Sequence, residues 1–315
     1  MGSRHLVDPQ LLPLLDTIPP LQLSIEALPA IRSRPVMFQP DPADVARTDL
    51  EVRTIPGPAG APGVEVLIYR PREGAGARPC ILHIHGGGFV TGDARGQEAA
   101  HRRLAAQLGC AIVSVNYRLA PETVFPGAVE DCYAALSWVM AEADELGVDR
   151  ARVGVMGESA GGGHAAALAL LARDRGEHRL AFQHLIYPMI DDRTCVAADP
   201  HPFVGDYVWT REANRFGWES LLGHPPGRDD VSPYAAPARA QDLAGLPPTY
   251  LATAALDLFL EENLEFARRL TRAGVPVELH VYPGAFHGFQ WAAASDVART
   301  AARDTEAALA RAFAG

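Results

Sequence analysis

The sequence predicts an α/β protein: a mostly parallel sheet flanked by helices on both faces. Three observations predict it. Short β-rich runs bounded by turn residues recur along the chain, alanine- and leucine-rich helical patterns lie between most of them, and one strand–turn–helix passage crowds its glycines around a serine. Strand alternating with helix implies parallel pairing, because each crossover lays a helix on the sheet.

The 315 residues, 48% hydrophobic and 21% charged, suffice for one large core with a small appendage. Acidic residues outnumber basic ones, 38 to 28, for a net charge of -10. A dedicated binder of nucleic acid or anionic membrane needs a basic surface, so both classes are disfavoured. Cys80, Cys110, Cys132 and Cys195 are far apart with no C-x-x-C pair, so buried free thiols are expected rather than a zinc site or a disulfide framework. The first 23 residues are cut by Asp8, Pro9, Pro13, Asp16, Pro19 and Pro20, which leaves no apolar core for a leader peptide. No run approaches the ~18 apolar residues of a membrane helix, and a cytoplasmic protein is expected.

In chain order, residues 1–45 are rich in leucine and proline and read as short helices ahead of the main fold. The strands expected next are VEVLIYR (64–70), CILHIHG (80–86), AIVSVNY (111–117), VGVMG (153–157), HLIYPM (184–189), TYLATA (249–254) and VELHVY (277–282). The helices expected between them are EAAHRRLAAQLG, AVEDCYAALSWVMAEADELG, GGHAAALALLARD and ENLEFARRLTRAG, the last three with glycine or charge near the stop. Residues 190–245 break the alternation, with no strand of their own among Pro, Asp and Gly. A stretch that long is more than a plain loop, and a lid over a site is its usual use.

Gly157-Glu158-Ser159-Ala160-Gly161 is a G-x-S-x-G between strand and helix. A serine there is forced into a strained turn that pushes Oγ out at the C-terminal edge of the sheet, and small residues two before and two after leave room for it. A phosphate cradle is the rival reading, but the Gly-Lys-Ser/Thr of a Walker loop and the G-x-G-x-x-G of a dinucleotide loop are both missing. Upstream, His85-Gly86-Gly87-Gly88-Phe89 closes another strand. Successive glycines let backbone N–H groups turn inward, which a developing oxyanion requires; Gly87, Gly88 and Ala160 are the expected donors. His85 reads either as a group that positions this loop or as a satisfied core histidine.

Serine needs a base, and eleven histidines are available. His287 lies in the loop at the C-terminal end of VELHVY, on the same edge as Ser159, whereas His280 is inside that strand and His164 is in the helix leaving the turn. Asp257 follows the preceding strand, so it and His287 fall at the C-terminal ends of neighbouring strands. The order Ser159, Asp257, His287 is that of one known arrangement of the triad. Asp257 could instead cap the helix starting near Leu258, although the Glu or Gln of a capping box is replaced by Leu260. Glu261 and Glu262 fall in the first helical turn, where negative charge favours the dipole; solvated or structural roles are expected for both.

HGGGFVTG, NYRLAPETVFPGAVEDC, GESAGGG, LIYPMID and YPGAFHGF, in this order over residues ~60–315, resemble the sequence blocks of the hormone-sensitive lipase family of α/β-hydrolases, in its bacterial carboxylesterase branch. The resemblance implies an eight-stranded mixed sheet and a helical cap made from residues 1–45 and an insertion within 190–245, over a catalytic domain of residues 46–315. It further implies no cofactor, no metal, a small-molecule ester of short acyl chain as substrate, and a homodimer. By likeness Ser159, Asp257 and His287 are the catalytic triad and Gly87, Gly88 and Ala160 the oxyanion hole. Two positions depart from the family's blocks: Glu158 stands where Asp is usual, and Leu258 stands in place of the proline that follows the acid. Arg118 and Glu122, in the block YRLAPE, are read as structural.

Phe89, Phe203, Tyr207, Trp209, Phe216, Trp218 and Leu258 are candidates for the acyl pocket, though aromatics in such an insertion also serve as its own small core. The reaction expected is acyl transfer through an acyl-enzyme. An amidase using the same residues, or a small-ligand binder on the same scaffold, are the alternatives.

Overall fold

The computed structural model describes residues 2–19, 21–74 and 76–314. Met1, Pro20, Ala75 and Gly315 lie outside the described residues, and with them the two outer ends of the expected 1–45 and 46–315 units and one proline of the N-terminal segment. Eight strands are present: β1 (Thr48–Ile55), β2 (Val64–Pro71), β3 (Arg78–Ile84), β4 (Ala111–Asn116), β5 (Val148–Glu158), β6 (Gln183–Ile186), β7 (Thr249–Ala254) and β8 (Val277–Tyr282). They form one sheet in the order β1-β2-β4-β3-β5-β6-β7-β8. β2 is antiparallel to both β1 and β4, and every later pairing is parallel.

The helices are α1 (Leu12–Thr17), α2 (Leu28–Arg32), α3 (Pro42–Arg47), α4 (Glu98–Leu108), α5 (Gly127–Ala141), α6 (Ala143–Leu146), α7 (Ala160–Arg175), α8 (Arg211–Leu222), α9 (Leu260–Arg272) and α10 (Asp296–Ala314). Alternate residues of one strand serve opposite faces of the sheet. Val66 and Ile68 of β2 join a core that includes Leu136 of α5, Leu168 of α7 and Leu270 of α9. Leu67 and Tyr69, between and beside them, join Leu104 of α4 and Leu309 and Phe313 of α10. The four cysteines are free and buried, and none of the helices described is long and apolar enough to cross a membrane.

Three details differ from the residue-by-residue reading. β1 was not among the expected strands; it is an edge strand whose interior carries Asp49, Glu51 and Arg53, and only its ends, Thr48 and Ile55, are buried. Charges of that kind protect an edge against pairing and also erase its apolar signal. The helix expected through 128–147 is broken at Glu142 into α5 and α6. The C-terminal helix α10 was likewise unassigned: its buried stripe is largely Ala298, Ala301 and Ala308, small residues that give a weak hydrophobic period.

Residues 190–245 hold no strand among the described residues, as read, and contain α8 between two single 3-10 turns. Buried charge ties this insertion together. Asp192 accepts from Arg239 Nε and Nη2 at 2.6 and 2.9 Å and from the Gly227 N–H at 2.6 Å. The N-terminal segment meets the insertion where the Ser3 N–H and Oγ–H donate to Asp206, at 3.0 and 2.7 Å. It meets the strand-end loops where Arg32 donates to Val90 O and Ala120 O, both at 2.8 Å, and pairs with Glu122.

Candidate active site

Ser159 ends β5 and opens α7 with φ 57° and ψ -124°, a conformation L-residues rarely adopt. The neighbours hold it there. Its N–H donates to Ile186 O at 2.9 Å, and its carbonyl accepts from the N–H groups of Met189 and Gly163 at 2.9 and 3.0 Å. The turn requires α7 to approach β3 so closely that a Cβ on Gly161 would lie 2.0 Å from Ile84 O. No other residue fits, which is the physical content of the final glycine in G-x-S-x-G.

Asp257 and His287 lie three and five residues past the ends of β7 and β8. Two backbone bonds hold their loops side by side: Ala255 N–H to Tyr282 O at 3.0 Å and Leu256 N–H to Ala285 O at 2.9 Å. His287 Nδ1 then lies 2.7 Å from Asp257 Oδ2, and its Nε2 lies 2.9 Å from Ser159 Oγ. A carboxylate accepts only, so the ring proton sits on Nδ1 and Nε2 is left to accept from the serine hydroxyl. The other oxygen of Asp257 accepts the Phe259 N–H at 3.0 Å. Asp257 is therefore not the cap of α9, whose N-cap is Phe259, two residues further on. Ser159 and His287 are each 6% exposed and Asp257 1%, so the group is nearly dry.

The two acids after Asp257 separate. Glu261 is exposed. Glu262 is buried, accepts the N–H groups of Ile190 and Asp191 at 2.7 and 3.2 Å and the Thr194 hydroxyl, and so holds the start of the insertion. Burial, reinforced by the charge of Asp191, pushes its carboxyl well above the usual range.

Gly87 and Gly88 both have positive φ, 122° and 61°. No acceptor for the N–H of Gly87, Gly88 or Ala160 is found among the described residues. The loop is anchored by Glu158. Its Oε1 accepts the Gly86 N–H at 3.1 Å and Gln97 Nε2 at 3.2 Å, and its Oε2 lies 2.9 Å from His83 Nε2. Burial alone would raise this carboxyl, but the charge of His83 and these hydrogen bonds outweigh it and the net direction is down. His85 is stacked on Tyr117 at 4.2 Å with Nδ1 2.8 Å from Gly86 O, and burial pulls it down to about 4. It is neutral, and it belongs to the loop's support. His164 is buried against Phe89 and Tyr117, and His280 faces Glu278 and Asp304; neither reaches Ser159. Arg118 pairs with the buried Asp131 and Glu122 with Arg32, both away from the serine.

The candidate pocket residues divide. Trp209 is buried with its ring so close over the glycine loop that a Cβ on Gly88 would lie 2.0 Å from Cη2, and its ring centre is 6.3 Å from that of His287. The Trp209 Nε1–H is held by Asn214 Oδ1 at 3.1 Å. Leu258 is buried against Gly205 in the same apolar cluster. Phe89 is buried beside Trp218 and His164 at ring distances of 5.0 and 4.8 Å, in the core behind the loop, with Trp218 fully enclosed. Tyr207 packs on Phe286 at 5.7 Å. Phe203 is 38% exposed between His5 and His201, and Phe216 packs beside Leu28 and Val90. Tyr187 and Phe259, absent from the sequence candidates, have rings 4.5 and 5.4 Å from that of His287. Tyr187 lies in LIYPMID at a φ of 33°, a strain no sequence pattern records.

Known proteins place the chain in a family. Residues 81–291 match the family described as having the alpha/beta hydrolase fold. Esterase LipI of Mycobacterium tuberculosis is 35% identical over 290 residues, covering 90% of this chain and 88% of that protein. Carboxylesterase NlhH of the same organism is 35% identical over 294 residues, covering 91% and 90%. The structure of a bacterial heroin esterase superposes with a TM-score of 0.89 at 39% identity, over 99% of both chains. These relatives fit the family IV, hormone-sensitive-lipase-like resemblance of the motifs, and the chain belongs to the α/β-hydrolase family as one of its carboxylic ester hydrolases.

Proposed function

We propose that the chain hydrolyses short-chain acyl esters with Ser159 as nucleophile, His287 as general base and acid, and Asp257 as the group that orients the histidine. The observation that carries this reading is the unbroken pair of hydrogen bonds, Ser159 Oγ to His287 Nε2 at 2.9 Å and His287 Nδ1 to Asp257 at 2.7 Å. Ser159 attacks the ester carbonyl as Nε2 takes its proton, and the imidazolium formed is stabilised by Asp257 and returns the proton to the departing alcohol. Water, activated by the same nitrogen, then clears the acyl-enzyme. The N–H groups of Gly87, Gly88 and Ala160 hold the oxyanion, at about 3 kcal/mol for each donor.

Residues 1–45 and the insertion within 190–245 form, in this reading, one cap. Trp209 over the glycine loop and Leu258 of the same apolar cluster would, in this reading, shorten the acyl side of the pocket and favour small acids. The homodimer suggested by the resemblance belongs to the proposal too, and light scattering at working concentration checks it. The test of the chemistry is labelling with a fluorophosphonate, mapped by mass spectrometry, followed by p-nitrophenyl esters from acetate to palmitate and a matching anilide. One phosphonyl group on Ser159, a maximum kcat/KM at butyrate or shorter, and a far slower anilide are expected. A label elsewhere, or faster turnover of long chains than of butyrate, contradicts the reading.

A further inference from the structure

Glu158, the last residue of β5, stands between two parts of the site: its backbone leads into Ser159, and its side chain reaches the glycine loop. Alternation along the strands places it on the α4 face of the sheet, two residues beyond Met156. His83 and Ser114 share that face, two residues beyond Ile81 and Ile112, and stand opposite each other in the pairing of β3 with β4. The Glu158 side chain is 13% exposed and that of His83 2%, so both depend on protein partners. Oε1 takes two donors, the Gly86 N–H and Gln97 Nε2. Oε2 faces His83 Nε2, which donates because a carboxylate only accepts, while His83 Nδ1 rests 3.1 Å from Ser114 Oγ. Both oxygens are thus fixed, and with them the rotamer.

The loop itself closes into a tight turn. The Gly87 carbonyl accepts the N–H groups of Val90 and Thr91 at 3.2 and 2.9 Å and the Thr91 hydroxyl at 2.9 Å. Residues 87–91, tied in this way, move as one body, and the Gly86 N–H bond to Glu158 links that body to the strand that carries the nucleophile. The contact is close: a Cβ on Gly86 would lie 2.9 Å from Glu158 O and 3.3 Å from Ser159 Cβ. The position of Gly86 therefore sets where the Gly87 and Gly88 N–H groups stand relative to Ser159.

We propose that Glu158 is a positioning residue for ester hydrolysis: its carboxylate, fixed by His83 and Gln97, holds Gly86 and thereby keeps the oxyanion donors at working distance from Ser159. The inference rests on the reading of Ser159 as nucleophile and of Gly87 and Gly88 as donors. Glu158 acts through the loop and not on the reacting atoms. Its contribution falls on the transition state, when charge collects on the carbonyl oxygen, and leaves substrate binding nearly untouched.

Kinetics on p-nitrophenyl butyrate and timed fluorophosphonate labelling of the whole chain test it. Glu158→Met keeps the volume but offers no strong acceptor, and is expected to lower kcat about 100-fold with KM within about two-fold of wild type. Glu158→Gln keeps an acceptor for Gly86 without the charge that strengthens the bond, and is expected to recover most of that loss, to within about ten-fold of wild type. The rate of phosphonylation should fall by the same factors, because that reaction also builds charge on an oxygen facing the loop, while one label per chain still ends on Ser159. Wild-type rates in Glu158→Met overturn the proposal and leave the ester reading intact. Fewer labelled chains at an unchanged rate, the mark of a merely structural role, overturn it as well. A label elsewhere than Ser159 in the wild-type chain overturns the ester reading and this proposal with it.

Discussion

At the scale of single residues, Asp257 has two oxygens with two tasks: one fixes its own loop through the Phe259 N–H, the other fixes the tautomer of His287. Asn in its place keeps an acceptor for the backbone but removes the charge that, in the proposed reaction, stabilises the imidazolium. Asp257→Asn is expected to lower kcat by about 10⁴ with little change in KM or melting temperature. Glu261→Gln, on an exposed carboxylate, is expected to leave kinetics unchanged; steady-state assays of the two variants side by side check the assignment. Ser159, Asp257 and His287 were legible because each is set by its place at a strand end, and strand ends can be read from short apolar runs. Trp209 over Gly88 and Tyr187 beside His287 were not legible to the same degree. Their positions depend on how an insertion without strand periodicity folds back, and on a strained φ that depends on tertiary contacts.

At the scale of elements, the interior parallel strands announced themselves by continuous apolar runs, while the charged edge strand β1 and the alanine-faced α10 did not. The join between α9 and the insertion shows what such reading misses. Glu262, in the first turn of α9, is buried and receives three donors from residues 190–194. Its carboxyl is pushed well above the ordinary range, chiefly by burial. A raised folded-state value means the unfolded chain ionises first as pH rises. The contribution of Glu262 to stability is thus full below the ordinary carboxylate range and is lost as pH climbs through the raised value. Glu262→Gln removes this loss, so its melting temperature relative to wild type should rise with pH across that window. Thermal melts from acid to neutral pH check it; a difference independent of pH would show that Glu262 does not titrate there.

At the scale of the whole molecule, four buried histidines are held neutral inside the fold. His85 is pulled down to about 4, and His164 and His184 to about 3, from an ordinary 6.5, in each case chiefly by burial; His101 is also well below. These groups have the opposite sign to Glu262. As pH falls below 6.5 the unfolded chain takes up protons that the folded chain refuses, and stability drops by up to about 1.4 kcal/mol per pH unit for each group. The melting temperature should therefore fall steadily from pH 7 to pH 5, before most carboxylates are titrated; a flat profile would mean that these rings are charged or solvated in the fold. The sheet that buries these rings also presents the ends of β5, β7 and β8 on one edge, and the account of function rests on what that edge does. Hydrolysis of p-nitrophenyl butyrate by Ser159→Ala tests it most directly. A kcat reduced by roughly 10⁶, with the fold intact by circular dichroism, is the result predicted; hydrolysis at the wild-type rate would contradict it.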